Sequence, residues 1–437
     1  MKRYGLAADT IRLSFFSCLI RCVGMVYNVW LTGFVGTEIL GLSQLVSIVY
    51  GFGVTLACSG LRLASTQMCT RAMAIKKDSH AVLWFSVLWG LFIGFIISCT
   101  IYFAAPYLAQ NLLNETGLSL ALRCSAAAIP FIAMTSAIYG YYTACEKILT
   151  LSVLQASEQF FQMALVFFCL TVVKPQGAFY ITASLTATTV AAEVFSFGLA
   201  CVFLPKRKSY AIKYPLRLRE FFKIVLPSNL SAVTGSFLRS MQEIAIPASL
   251  VIWGLSQSEA VSLYGAVSGV VYPIIFLPST VLSSLAIVIV PQLTRAHTIG
   301  NKKRITYLAK KLLVLVSAYA FLFCILIRTF GTQIAEFIFN KGEFGGLITL
   351  FAPLIPLSYL DLIVDSVLRS LDKQLWATMC SVIDAGLSFI LVKILIPRFG
   401  ISGLAYAVLT AKFINLSLSF YRMAADIFTK KNTPLHN

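Results

Sequence analysis

The feature that most constrains this chain is a succession of apolar runs, each about 20 residues or longer, broken by short polar segments from residue 11 to residue 426. A helical run of that length spans the ~30 Å hydrocarbon core of a bilayer. The chain has 437 residues, is 58% hydrophobic and 12% charged, and has a mean hydropathy of +0.84. A soluble protein of this size would need far more polar surface. The runs are continuous rather than alternating, which excludes a β-barrel, the other way to satisfy the backbone in lipid. The class is therefore an all-α polytopic membrane protein.

Twelve spans are expected: 11–33, 38–71, 80–105, 118–144, 148–173, 178–204, 224–252, 259–295, 307–330, 347–371, 375–396 and 401–426. The second and eighth are overlong for a straight crossing. Gly51, Gly53 and Gly60 offer bends in one, and Pro273, Pro278 and Pro291 offer breaks in the other.

The net charge is +18, and most Lys and Arg fall on one set of alternate loops. The opposite loops, such as GFVGT, APYLAQNLLNETG and WGLSQS, contain neither. This positive-inside pattern places both termini in the cytoplasm. Topology and anionic lipid headgroups account for the charge, so no nucleic-acid partner is expected. The eleven cysteines stand singly, without a CxxC, so no disulfide, metal or other cofactor is expected.

The chain also repeats itself. Residues 126–159 and 352–385 align without gaps, pairing Pro130 with Pro356, Glu146-Lys147 with Asp372-Lys373, Glu158 with Asp384 and, further on, Gly177 with Gly403. Two pseudo-symmetric six-helix lobes are expected, 1–204 and 224–437, joined by a basic cytoplasmic linker at 205–223. In transporters built from parallel repeats, the substrate site lies between the halves.

Arg21 stands near the middle of the first span, where a lipid-facing cation costs at least ~2.5–3.5 kcal/mol. Ser14, Ser17, Arg21, Gly24 and Asn28 share one helical face. Span seven answers with Ser228, Ser231, Gly235, Arg239 and Gln242. Arg21, Asn28, Arg239 and Gln242 read as a cationic cavity gripping phosphate through charge-assisted bonds. Glu243, one turn from Arg239, leaves a structural ion pair as the alternative. Arg62 and Lys412 are further cavity candidates, although Arg62 could instead snorkel to a headgroup. The intramembrane acids are Glu158, Glu193, Asp361, Asp365 and Asp384. Glu158, Asp361, Asp365 and Asp384 are candidates for coupling to H+ or Na+, while Asp361, Asp365 and Arg369 could equally form an internal salt-bridge ladder.

Arg21-x-x-Gly24-x-x-Tyr27, Leu31-Thr32, Gly36-x-Glu38-x-x-Gly41-Leu42-x-Gln44, Tyr50-x-Phe52 and Leu56-Ala57-x-x-Gly60 resemble the start of the stage V sporulation protein B-type polysaccharide flippases. Tyr264-Gly265-x-x-x-Gly269, Pro273, Pro278 and Val290-Pro291 resemble their eighth span, and Gln155-x-x-Glu158-Gln159 also fits. The resemblance implies the multidrug/oligosaccharidyl-lipid/polysaccharide (MOP) superfamily, alternating access, and a polyprenyl-pyrophosphate-linked saccharide as cargo. It also implies that Arg21 matches the first of two functional arginines in related lipid II flippases, with Tyr27 in place of the second. Membrane lipids and the lipid-linked oligosaccharide are the expected partners of a monomer. The competing readings are a multidrug or cation antiporter of the same fold, a membrane glycan polymerase or ligase, and a non-transporting envelope or sporulation scaffold. The short, nearly uncharged outer loops speak against the enzyme.

Overall fold

The computed structural model describes residues 2–74, 78–173, 177–204, 218–339 and 342–428, with side chains described from residue 20 onward apart from Arg21 and a few others. Most of the expected linker 205–223 lies outside the described residues, as do the side chains of Ser14, Ser17, Arg21, Ser228 and Ser231. The helices are α1 (Lys2–Ala74), α2 (His80–Tyr107), α3 (Ser119–Ala126), α4 (Ile129–Ala144), α5 (Ile148–Phe168), α6 (Ala178–Val202), α7 (Leu218–Trp253) and α8 (Gln257–Ala266). They continue with α9 (Tyr272–Phe276), α10 (Ser279–Thr298), α11 (Lys302–Phe339), α12 (Glu343–Phe351), α13 (Leu354–Ser370), α14 (Gln374–Phe399) and α15 (Ile401–Phe428). No β-strand occurs among the described residues.

Among the described residues nine helices are long and apolar enough to cross a bilayer, or ten with the bent pair Phe344–Phe351 and Leu354–Ser370. One of the nine, Cys22–Ala74, runs for 53 residues, or about 80 Å at 1.5 Å per residue, more than two bilayer cores. It breaks at Gly36, where φ is +83° and ψ 170°, a conformation that a Cβ disfavours. The break falls between the expected spans 11–33 and 38–71, so the twelve-span reading fits these helices. Leu88, Phe103 and Phe337 are 62%, 78% and 90% exposed, which only a lipid environment makes favourable for side chains of this kind.

The interruptions follow local chemistry, with two differences from expectation. Gly51, Gly53 and Gly60 do not bend the limb that follows Gly36: the backbone of α1 departs from helical values at Gly36 alone. Gly60 and Gly53 admit neighbours instead. A Cβ on Gly60 would lie 2.5 Å from the Val225 carbonyl oxygen, and one on Gly53 would meet Ile101 and Ile129. Pro291 likewise does not interrupt α10, whereas Pro278 separates α9 from α10. The fourth and tenth expected spans are each broken, α3 from α4 and α12 from α13, two to four residues before Pro130 and Pro356. Proline lacks the N–H that would carry the helix across.

The repeat is visible in backbone detail. Glu146 and Asp372 both have positive φ, 57° and 58°. The N–H of Lys147 donates to the Tyr142 carbonyl and that of Lys373 to the Leu368 carbonyl, both at 3.0 Å. Helices α5 and α14 then start at Ile148 and Gln374, the same shift of 226 residues. Two identical helix-ending turns, with a non-glycine residue in the left-handed region, are strong evidence of one repeated unit. Beyond this hairpin the register slips by three. Gly177 (φ 86°) and Gly400 (φ 58°) precede α6 and α15, so Gly400, not Gly403, is the structural partner of Gly177.

The chain forms two compact units. The first comprises residues 35–248 and 257–265, the second 1–34, 249–256 and 266–437. Packing thus groups 1–34 with C-terminal residues and 218–248 with N-terminal ones. In the first unit α2 packs on α3 and α4, and α6 packs on α3, α4 and α5. In the second, α11 packs on α12 and α13, and α15 packs on α12, α13 and α14, the same set under the repeat. The core of the first unit gathers Leu61, Met68, Leu83, Tyr142 and Phe221, all at most 2% exposed.

Candidate functional sites, one in each unit

In the second unit the middles of α13, α14 and α15 bring four polar side chains together. Lys412 Nζ donates to Asp361 Oδ2 at 3.1 Å and to Asp384 Oδ2 at 2.8 Å. Asn415, one turn along α15 from residue 412, donates from Nδ2 to Asp361 Oδ1 at 2.8 Å. Asp365 pairs with Arg369 at 3.7 Å on the same helix. The ladder foreseen within span ten is therefore split: Asp365 keeps Arg369, while Asp361 turns to α15. Lys412, expected to line a substrate cavity, is held by carboxylates of its own unit. A half-buried ammonium between two carboxylates works as a group, since removing one partner strands the others.

In the first unit, α1, α4, α5 and α6 enclose a cavity of about 440 Å³. Its polar lining includes Arg62, Tyr139, Gln155, Glu158, Gln162 and Glu193. Ser196 donates to Glu158 Oε2 at 2.5 Å, and Tyr139 reaches the same oxygen at 3.3 Å. Tyr50 reaches Glu193 Oε1 at 3.4 Å. Glu193 is 5% exposed, and its second carboxyl oxygen is buried with no partner among the described residues. Both carboxyls belong to one electrostatic neighbourhood. The Arg62 guanidinium lies 6.0 Å from the centre of the Tyr139 ring, and the described contacts include no ion pair between it and either acid. Two acids in one partly enclosed site repel when both are ionised, so such a site favours a proton or a bound cation.

The remaining candidates are dispersed. Arg239 is exposed on α7 and is an electrostatic neighbour of Glu243, while Gln242 is half-buried. Asn28 is half-buried, and its carbonyl accepts a bond from Thr32 at 2.7 Å. The Arg21 side chain lies outside the described residues.

Sequence reasoning ranked Glu193 with the other intramembrane acids but gave it no role. It placed Tyr50 only in a motif, with no role, and missed Tyr139, Ser196 and Asn415 altogether. Glu193 carried a signal, an acid in mid-span; a lone Tyr or Ser in an apolar run carries none.

Residues 6–297 match the family model described as polysaccharide biosynthesis protein. The chain is similar to stage V sporulation protein B of Bacillus subtilis (strain 168), 24% identical over 94% of this chain and 82% of that one. It is also similar to the uncharacterized membrane protein YabM of the same organism, 22% identical over 97% of this chain and 81% of that one. Among solved structures, the inward-facing conformation of a multidrug resistance MATE family transporter of the MOP superfamily superposes with a TM-score of 0.76 at 12% identity, over 95% of this chain and all of that one. A MOP superfamily transporter from Pyrococcus furiosus, described as having a binding pocket of reverse polarity, gives 0.64 at 13% identity, over 95% of each chain.

Proposed function

Because the chain belongs to the polysaccharide biosynthesis protein family, a multi-pass membrane transport protein with the MOP fold, we propose that it is an alternating-access flippase. Its cargo is a polyprenyl-pyrophosphate-linked saccharide, a cell-wall or polysaccharide precursor carried from the inner to the outer leaflet of a bacterial cell membrane. Both termini face the cytoplasm, as the positive-inside pattern implies. The single observation that carries this reading is the family match over residues 6–297. Mid-span cations support it: Arg21 and Arg239 are suited to a pyrophosphate headgroup, which offers several acceptor oxygens to a guanidinium.

The cavity of Glu158 and Glu193 is where a driving ion, H+ or Na+, would act. It also favours one second reading, a cation-coupled multidrug antiporter of the same fold, for which acids rather than arginines carry the work.

The test is depletion of the protein followed by identification of the lipid-linked saccharide retained on the cytoplasmic leaflet. The flippase reading expects one such intermediate to accumulate, and expects R21A and R239A to reproduce the defect. If nothing accumulates while drug efflux falls, the antiporter reading replaces it.

A further inference from the structure

We propose that Lys412 is a resident cation. Its ammonium occupies, from within the chain, the place that a monovalent cation from solution would take in the acidic site of the second repeat. Of the two repeat-related acidic sites, only the one at Glu158 and Glu193 is then left to exchange its cation with solvent.

The argument starts from register. Glu158 on α5 and Asp384 on α14 are equivalent under the 226-residue shift that aligns the two turns before them. Under the 223-residue shift relating α6 to α15, the counterpart of Lys412 is Thr189, which accepts a bond from Gln162 and carries no charge. One three-helix junction therefore holds acids with a lysine reaching in, and its twin holds acids without one.

Geometry carries the second step. The Lys412 ammonium sits 3.1 and 2.8 Å from oxygens of two different aspartates. Asn415 fixes the other oxygen of Asp361 from the same helix as Lys412, and its own carbonyl oxygen is buried without a partner among the described residues, the residue being 3% exposed. Take away the ammonium and two carboxylates with an unused amide oxygen remain nearby. That is a hard-oxygen set suited to Na+ or K+. The other ionisable pair of the cluster, Asp365 with Arg369, balances itself. In the first unit, by contrast, the oxygen of Glu193 without a partner among the described residues belongs to a cavity lining whose one cation, Arg62, lies over the Tyr139 ring and makes no ion pair with either acid among the described contacts.

The inference rests on the cation-coupled side of the transport reading, but its test reads cation binding and not flux, so either can fail alone. The full-length chain carrying E158Q and E193Q, which silence the first site, is purified in detergent. Its thermal unfolding is followed as NaCl, KCl or methylammonium chloride replaces choline chloride at constant ionic strength. With Lys412 present, no Asp384-dependent shift is expected, and K412R should behave alike. K412A should acquire a saturable rise of several degrees with at least one of the three cations, and adding D384N should abolish it. A K412A protein that is isolated only in the presence of one of these cations supports the assignment equally. No response of K412A to any of the three, or failure to recover it in all of them, would overturn it. So would an Asp384-dependent cation response while Lys412 is intact.

Discussion

At the residue scale, the two acidic sites show how different side chains at repeat-related positions change where charge is balanced in a repeated fold. Glu193 leaves a carboxyl oxygen unpartnered at 5% exposure, a situation that costs about 1–3 kcal/mol when no compensating bond forms. E193Q removes one of two neighbouring like charges, so it is expected to raise the unfolding temperature and to remove the ion dependence of the proposed transport; a variant that stays ion-dependent would place coupling elsewhere. Glu115, in the loop between the third and fourth spans, titrates differently from a solvated acid. Burial pushes its carboxyl above the usual carboxylate range, Glu38 adds to this, and a hydrogen bond with Gln257 opposes it. The folded state then binds the proton more tightly than the unfolded one. The stabilisation is complete below the ordinary glutamate range, about pH 4.3, and is lost as pH rises through the higher folded-state value. Stability curves of the wild type and E115Q across pH 4–7 should diverge with that sign, E115Q being the flatter.

At the element scale, glycines and prolines do different work from what their presence in a span suggests. Gly36 turns α1 with φ +83° and ψ 170°, a region that is essentially glycine's alone and costs about 1–3 kcal/mol for a side chain, so G36A should lower stability by that amount in thermal or chemical unfolding. Gly60 instead lets α7 lie against α1: its N–H and the Ser59 hydroxyl both donate to Asn229 Oδ1. G60A would press a methyl group into the Val225 backbone, an overpacking worth about 1–3 kcal/mol. Gly41 and Gly265 make the same kind of close passage, meeting the carbonyls of Val261 and Thr37. A stability loss in G60A no larger than that of an exposed glycine would show that this contact does not hold.

At the scale of the whole molecule, orientation is the open quantity, and single cysteines in a cysteine-free background measure it. A cysteine at Asn301, beside Lys302 and Lys303, should react with a membrane-impermeant maleimide only after the cells are permeabilised. One at Asn114 should react in intact cells. The reverse pattern would invert the proposed direction of transport.

Much of this was legible in the chain itself. Lengths of apolar runs and the placement of Lys and Arg depend on the bilayer as solvent, which acts on each segment separately. The repeat was readable too, down to Glu146 and Asp372, because a left-handed turn is a local event. What sequence could not supply was partnership between distant segments. That Lys412 closes on Asp361 and Asp384, that Glu193 shares a cavity with Glu158, and that Gly60 is a contact and not a bend were decided by packing. A charged or small residue in an apolar run announces that something must meet it, and only the three-dimensional neighbours determine what does.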